Sequence, residues 1–356
     1  MDIDVTVKPL FGHQEAAEVG YNPTKPGRPS HTYHSFIMAG LRLVLGVNVE
    51  AGNASQAKST LPGLIELLDR LPADKQPSCV RGDCGFGQDA TMRALEDRQT
   101  SYLFKLKLTK NVKRYLEQIF WADGWQEAGQ GWEGREGSLK LMGWQNERRV
   151  IALRRPLVGD VLLSAQEQQL ELAFVEQTRP AKRYEYAVLV TDLPYEVRAL
   201  AQLYRDRADA ENVFDELKNQ WGWGGYMTQD LQRCQLTASA VALIYNWWSL
   251  FTRLAKPNAR LEAITSRPFL LSGVGRKTEH AGQQHLKITP MHGQNHKARQ
   301  MLTRMSALLQ DWKKTAEQFD SPTVWQRVCQ AITTAFTGID GAESRQAIAL
   351  IHSGAG

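Results

Sequence analysis

The hydrophobic positions change period several times along the chain. Residues 3–7 alternate with β-branched side chains, and 35–39 and 43–50 are two further apolar runs joined at Gly40, which predicts a meander of three strands. Leu61, Leu64, Ile65, Leu68 and Leu71 then recur at helical spacing, behind the capping candidates Asn53 and Ser55 and ahead of Pro72 and Pro77. A short strand at 79–81 leads through the turn-rich GDCGFG into a helix over 89–98 and a strand over 101–106. Residues 1–108 therefore read β-β-β-α-β-α-β.

The pattern shifts over 109–194. Trp121, Trp125, Trp132 and Trp144 are interleaved with glycine and charge, and alternating stretches at 150–154, 171–175 and 184–191 predict mostly antiparallel strands with turns at 134–137 and 156–160. Beyond Pro194, one long helix is predicted from Glu196 to Gln220, stopped by Gly222, Gly224 and Gly225. The apolar window 237–254 approaches membrane length, but Ser239, Asn246, Ser249 and Arg253 interrupt it, so a buried core helix is expected. A loop-rich stretch over 257–294 and helical segments that include 301–309 and 323–336 complete the chain. The chain thus divides into an α/β segment at 1–108, a β-rich insertion at 109–194, a resumed helical segment at 195–255 and a loop-rich, then helical, region at 256–356.

Composition narrows the class. Of 356 residues, 42% are hydrophobic and 23% charged, which excludes wholesale disorder and suggests about two domains. A net charge of +5 is compatible with a polyanionic partner. Cys79, Cys84, Cys234 and Cys329 are too scattered for a disulfide scaffold and include no C-x2-C pair, which favours reduced thiols in a cytosolic protein. The opening MDIDVTVKPL is no signal peptide.

Three carboxylates stand out by position. Asp4 lies on or just after the first strand, with Asp2 on the same side of the pleat; Asp83 follows the 79–81 strand in RGDCGF; Glu211 lies within the long predicted helix. Ligands bind at strand ends of open α/β sheets, and acidic oxygen donors from separate elements suit Mg²⁺. Two such ions about 3.5–4 Å apart would clamp an in-line phosphoryl displacement. Tyr204, Arg207, Glu211 and Lys218 follow Y-x2-R-x3-E-x6-K, which on one continuous helix places all four on one face over about 21 Å. An apolar core stripe has no such composition. A carboxylate between cations suits metal-held phosphate, with Glu211 on the ion and Arg207 and Lys218 on phosphate oxygens.

The Y-x2-R-x3-E-x6-K pattern, the aspartate in RGDCGF, the NQWGWGG after the helix and DVT near the start together resemble bacterial insertion-sequence transposases of the DDE class, most like insertion-sequence family four and its thirteen-eighty relatives. The resemblance spans most of the chain. It implies an RNase H-like core interrupted by the β-rich insertion, with Asp4, Asp83 and Glu211 as the ligands of two Mg²⁺ ions, for which Mn²⁺ substitutes. It also implies that Tyr204, Arg207 and Lys218 contact transposon-end phosphates. The implied chemistry is hydrolysis at transposon ends, then attack of the freed 3′-OH on target DNA, in a dimeric synaptic complex at the bacterial nucleoid in the cytoplasm. Some relatives pass through a DNA hairpin with a flipped base on tryptophan; Trp125, Trp132 and Trp144 are the local candidates. Because the chain begins almost at the first catalytic strand, the usual N-terminal DNA-binding region is expected to be absent.

Several alternatives stand beside this reading. Asp2 and Asp4 point the same way, and the D-x-T context favours Asp4 as the first ligand. Lys105, Lys107, Lys110, Lys113 and Arg114 read as alternate residues of a strand and loop, either a solvated sheet edge or a DNA track. His280, His285, His292 and His296 sit among lysines with no completing ligand, which favours a DNA-facing loop over zinc. The rival functions are an RNase H-like nuclease and a truncated, inactive remnant that binds DNA.

Overall fold

The computed structural model describes residues 1–156, 184–226, 228–256, 259, 261–270, 275–288 and 295–316. Strand β1 (Asp2–Pro9) lies inside a ten-stranded mixed sheet. On one side it runs antiparallel to β3 (Pro29–Met38), whose far edge is shared by the short β2 (Glu18–Val19) and by β4 (Leu43–Ala51). On the other side β1 pairs in parallel with β5 (Val80–Gly82), and β5 in parallel with β6 (Tyr102–Lys105). The strands of the tryptophan-rich stretch then lengthen the same sheet. They are β7 (Gln126–Gly129), β8 (Trp132–Leu139), β9 (Arg148–Pro156) and β10 (Tyr184–Thr191), joined antiparallel in the order β6-β10-β9-β8-β7.

Period-two alternation sorts the strand residues between two layers. Helices α1 (Gln56–Arg70), α2 (Asp89–Glu96) and α3 (Lys110–Ile119) bury Leu64, Leu68, Met92, Leu95, Val112 and Leu116 in one core with Ile3, Val80, Phe104 and Val190. Each such apolar side chain contributes about 1.5–3 kcal/mol of burial. The core on the other side holds Cys79, Leu103, Ile151 and Leu189 with Val197, Leu200 and Ala201 of α4 (Val197–Arg205). Strand β3 has neighbours on both edges and is buried almost throughout, and Thr32, Tyr33 and His34 among its polar residues find side-chain partners inside. His34 is held between the hydroxyls of Thr32 and Thr60, at 3.0 and 2.6 Å.

The chain divides into two compact units: Met1–Lys218 with Gly222–Ala242, and Asn219–Trp221 with Leu243–Gly356. In the first, Trp223 is buried after α5 (Ala208–Asn219), its indole N–H donating to the Ala238 carbonyl at 3.2 Å. In the second, Leu254 and Ala255 of α6 (Leu231–Ala255) pack with Leu270 of α7 (Ala263–Leu270) and with Met301 and Met305 of α8 (Asn295–Ala316). No helix among the described residues is long and apolar enough to cross a membrane.

Several expectations need correction. Residues 134–137 lie within β8; the turn comes earlier, where Gly129, Gln130 and Gly131 all take positive φ. The basic stretch from Lys110 is helix α3, because Val112, Leu116 and Ile119 form an i, i+4, i+7 stripe that the intervening lysines disguise. The loop-rich 257–294 contains α7 and a hairpin of β11 (Gly275–His280) and β12 (Gln283–Ile288). Helix α6 is not buried all round, since Leu243, Ile244 and Trp247 are each more than half exposed. The segments 171–175 and 323–336, and all but Pro156 of the turn at 156–160, fall outside the described residues.

Candidate active site

The register of β1 against β5 decides what meets. Asp2 pairs with Arg81 and Ile3 with Gly82, so one step further Asp4 comes level with Asp83 on a strand about 4.8 Å away. Ile3 and Val80 point into the core under α1–α3. By alternation Asp2, Asp4, Arg81 and Asp83 face the α4 side. Glycine at 82 leaves room for the core side chains beneath the strand that carries Asp83, for a Cβ there would stand 2.8 Å from the Phe86 ring and 3.1 Å from Ile3 and Phe104. Beyond it the Asp83 carboxylate accepts the Gly85 N–H at 2.9 Å, an Asx turn that holds it at the strand end.

Asp2 and Asp4 point the same way but have different partners. Asp2 is fully buried, and its two oxygens accept Nε and Nη2 of Arg81 at 2.7 and 2.8 Å. That fork is spent on structure. Asp4 accepts its neighbour Val5 N–H on one oxygen and Arg207 Nη1, at 2.7 Å, on the other.

The third donor of Arg81 bonds the Leu203 carbonyl. In a continuous α-helix that carbonyl would accept the N–H of Arg207. Here the Arg207 N–H turns to Tyr204 instead, at 3.1 Å. The single helix expected over 196–220 is therefore two, α4 and α5, joined through Asp206 and Arg207. Tyr204 ends up on α4, Arg207 at the junction, and Glu211 and Lys218 on α5, so the four do not share one straight face.

Arg207 gathers the site. Besides Asp4 it reaches Glu211 Oε1 with Nη2 at 3.2 Å, and its guanidinium lies 6.0 Å from the centre of the Tyr204 ring. The Arg207 side chain is 11% exposed and that of Glu211 67%, so the second contact faces solvent. Burial pushes the Asp4 carboxyl up; Arg207 opposes this, and the negative charge of Asp83 adds to it. Burial lowers the Lys218 ammonium against the pull of Asp4 and Asp215. Tyr204 is pushed up to about 12, chiefly by burial. Lys105 ends β6, with Lys107 exposed just beyond it. Burial raises the Cys84 thiol, and the charges of Lys105 and Lys107 pull it back, which puts both lysines within electrostatic reach of the residue after Asp83.

Among the described residues no three His, Cys, Asp or Glu side chains are disposed to hold a metal ion. Asp4 and Glu211 both turn to Arg207 instead. In donor chemistry the acids still fit a hard divalent cation, since they offer carboxylate oxygens from separate elements around a point that already attracts positive charge. Elsewhere, Trp144 is in the core under α1–α3, Trp125 stacks on Arg154 with 3.9 Å to the ring centre, and Trp132 lies 4.8 Å from Arg155. His280 and His285 lie on the β11–β12 hairpin and His296 on α8, while His292 falls outside the described residues. Sequence reasoning missed Arg81. Its only signal was its place two residues before Asp83, and its role needs the β1–β5 register.

Residues 1–310 match the family described as Transposase DDE domain group 1, and the chain belongs to that family. Among solved structures it is similar to the piggyBac transposase of a cryo-EM synaptic complex with hairpin DNA, at 10% identity and a TM-score of 0.41. That match covers 94% of this chain and 56% of the other, so the chain spans little more than half the length of that transposase. None of the curated proteins matches it.

Proposed function

We propose that the chain is the catalytic region of a DNA transposase, which hydrolyses a phosphodiester at transposon ends and joins the freed 3′-OH to target DNA. The observation that carries this reading is the β1–β5 register, which sets Asp4 level with Asp83 on the side of the sheet where Arg207 links Asp4 to Glu211. The strand order β4-β3-β1-β5-β6, in which only β3 runs against the others, supports an RNase H-like core.

In this reading Asp4, Asp83 and Glu211 hold two Mg²⁺ ions, or Mn²⁺ in their place. The bound ions supply positive charge to the attacking and leaving oxygens. The chain's own part is to place and neutralise the scissile phosphate. Lys218, Arg207 and Tyr204 take phosphate oxygens of the transposon end, and Lys105 and Lys107 track the strand past Asp83. Asp2 and Arg81 position this machinery without touching DNA. Two chains in a synaptic complex would bring two ends to one target, and the membership of an insertion-sequence family with a Tyr-Arg-Glu-Lys signature belongs to the same proposal.

Glu211→Gln removes one anionic ligand at nearly constant volume. With a duplex carrying the element's terminal repeat and Mg²⁺, we expect cleavage to fall by roughly 10²-fold or more while DNA affinity is retained. Unchanged cleavage refutes the assignment. Joining to target DNA separates a transposase from an RNase H-like nuclease, which would cut and stop.

A further inference from the structure

A guanidinium reserved for DNA phosphate would keep its donors free. Arg207 does not. Its Nη1 is on Asp4 and its Nη2 on Glu211, and the side chain is almost wholly buried between β1 and the start of α5. Both partners are acids assigned above to the metal, and together with Asp83 they would leave three negative charges close together were Arg207 turned away. The planar fork spans two carboxylates from different elements, which a lysine ammonium cannot do with the same geometry.

We propose that Arg207 is the resident cation of the acidic site: it holds Asp4 and Glu211 together before the divalent ion binds, is displaced by that ion, and is then released to a DNA phosphate. This rests on the metal-ligand reading of Asp4 and Glu211. The two contacts differ in a way that suits displacement. The Glu211 contact is longer and its side chain largely exposed, so it opens first, while the Asp4 contact is short and sheltered. Freed from Glu211, the guanidinium swings on its own side chain and needs no backbone movement. Metal loading and the grip on DNA are thereby coupled through one side chain, and an ion-free enzyme holds DNA with one cation fewer.

The test is Mn²⁺ binding to the full chain without DNA, followed by the paramagnetic signal of the free ion. Removing the competitor in Arg207→Gln should tighten Mn²⁺ binding by roughly three- to fivefold, the upper end of what a partly exposed ion pair is worth. Arg207→Lys should fall between the variant and the wild type. Equal or weaker binding in Arg207→Gln overturns the proposal. Asp4→Asn and Glu211→Gln separate it from the reading beneath: if neither weakens Mn²⁺ binding, the ligand assignment fails and this proposal with it. If both weaken it but Arg207→Gln does not tighten it, displacement alone fails. Should Arg207→Gln not fold, the wild-type chain decides. The side-chain Nε–H resonance of Arg207, assigned through its own backbone amide, should move on saturation with Mg²⁺, and a stationary resonance overturns the proposal.

Discussion

Replacing Asp2 and Asp4 in turn separates a structural carboxylate from the proposed metal ligand two residues away. Asp2 is fully buried, and both its oxygens are bonded by Arg81, whose side chain is 11% exposed. Asp2→Ala leaves that guanidinium out of water with the Leu203 carbonyl as its remaining partner. Breaking one side of such a pair costs about 3–5 kcal/mol, because the charge left behind is uncompensated. The loss also loosens the Leu203 anchor that interrupts the helix before Arg207. Asp4→Asn is different in kind, since the amide oxygen still accepts from Arg207 and Glu211 still answers the guanidinium charge, so its stability cost should be smaller, about 1–2 kcal/mol. Urea unfolding of the two variants and the wild type, followed at unchanged m, measures both quantities. Cleavage assayed well below the unfolding transition should be reduced but persist in Asp2→Ala, through the loosened Arg81 anchor, and be lost in Asp4→Asn. The reasoning is refuted if Asp2→Ala costs less than about 1 kcal/mol, or if the two variants exchange phenotypes.

Further outcomes follow from other parts of the molecule. Thr32 Oγ1 donates to the Ala51 carbonyl and so accepts from His34 Nε2–H, which leaves Nδ1 to accept from Thr60; a second proton has no place, and burial depresses the imidazole to about 4. The unfolded chain, near 6.5, takes its proton first, so stability falls as pH drops below about 7, by about 2 kcal/mol at pH 5. Denaturant titrations of His34→Gln should lack that component, and an identical pH profile would rule it out. Lys218→Ala should weaken DNA binding and flatten the plot of log affinity against log salt by about 1; an unaltered slope would take Lys218 off the phosphates. Arg148, whose side chain is 3% exposed, ties Glu96 to Asp89, so Arg148→Met should cost about 3 kcal/mol by thermal or urea unfolding, with DNA affinity unchanged.

Much of the frame was legible in the residues. The β-branched first strand, the Leu61–Leu71 helical spacing and the strand–turn–helix around RGDCGF all appear close to where the periodicity put them, because each buries a face whose period is local. The DDE transposase class that the resemblance implied is the family the chain belongs to. What escaped depended on contacts between distant stretches. The break between α4 and α5 follows from an arginine on β5 taking the Leu203 carbonyl, and YRDRADAE has neither glycine nor proline to announce it. The distinction between Asp2 and Asp4 likewise needs the β1–β5 register. Helix α3 was hidden for another reason: a basic run with three apolar residues among ten reads equally well as an edge strand.

The central claim is that Asp4, Asp83 and Glu211 act together on a phosphodiester with a divalent ion. Its most direct measurement incubates the chain with Mg²⁺, a duplex ending in the element's terminal repeat and a labelled target plasmid. The account predicts a nick at the repeat boundary and covalent joining of the new 3′ end to the plasmid, both abolished by Asp83→Asn and by chelation. Joining that persists in Asp83→Asn, or that proceeds equally with all divalent ions removed, would contradict it.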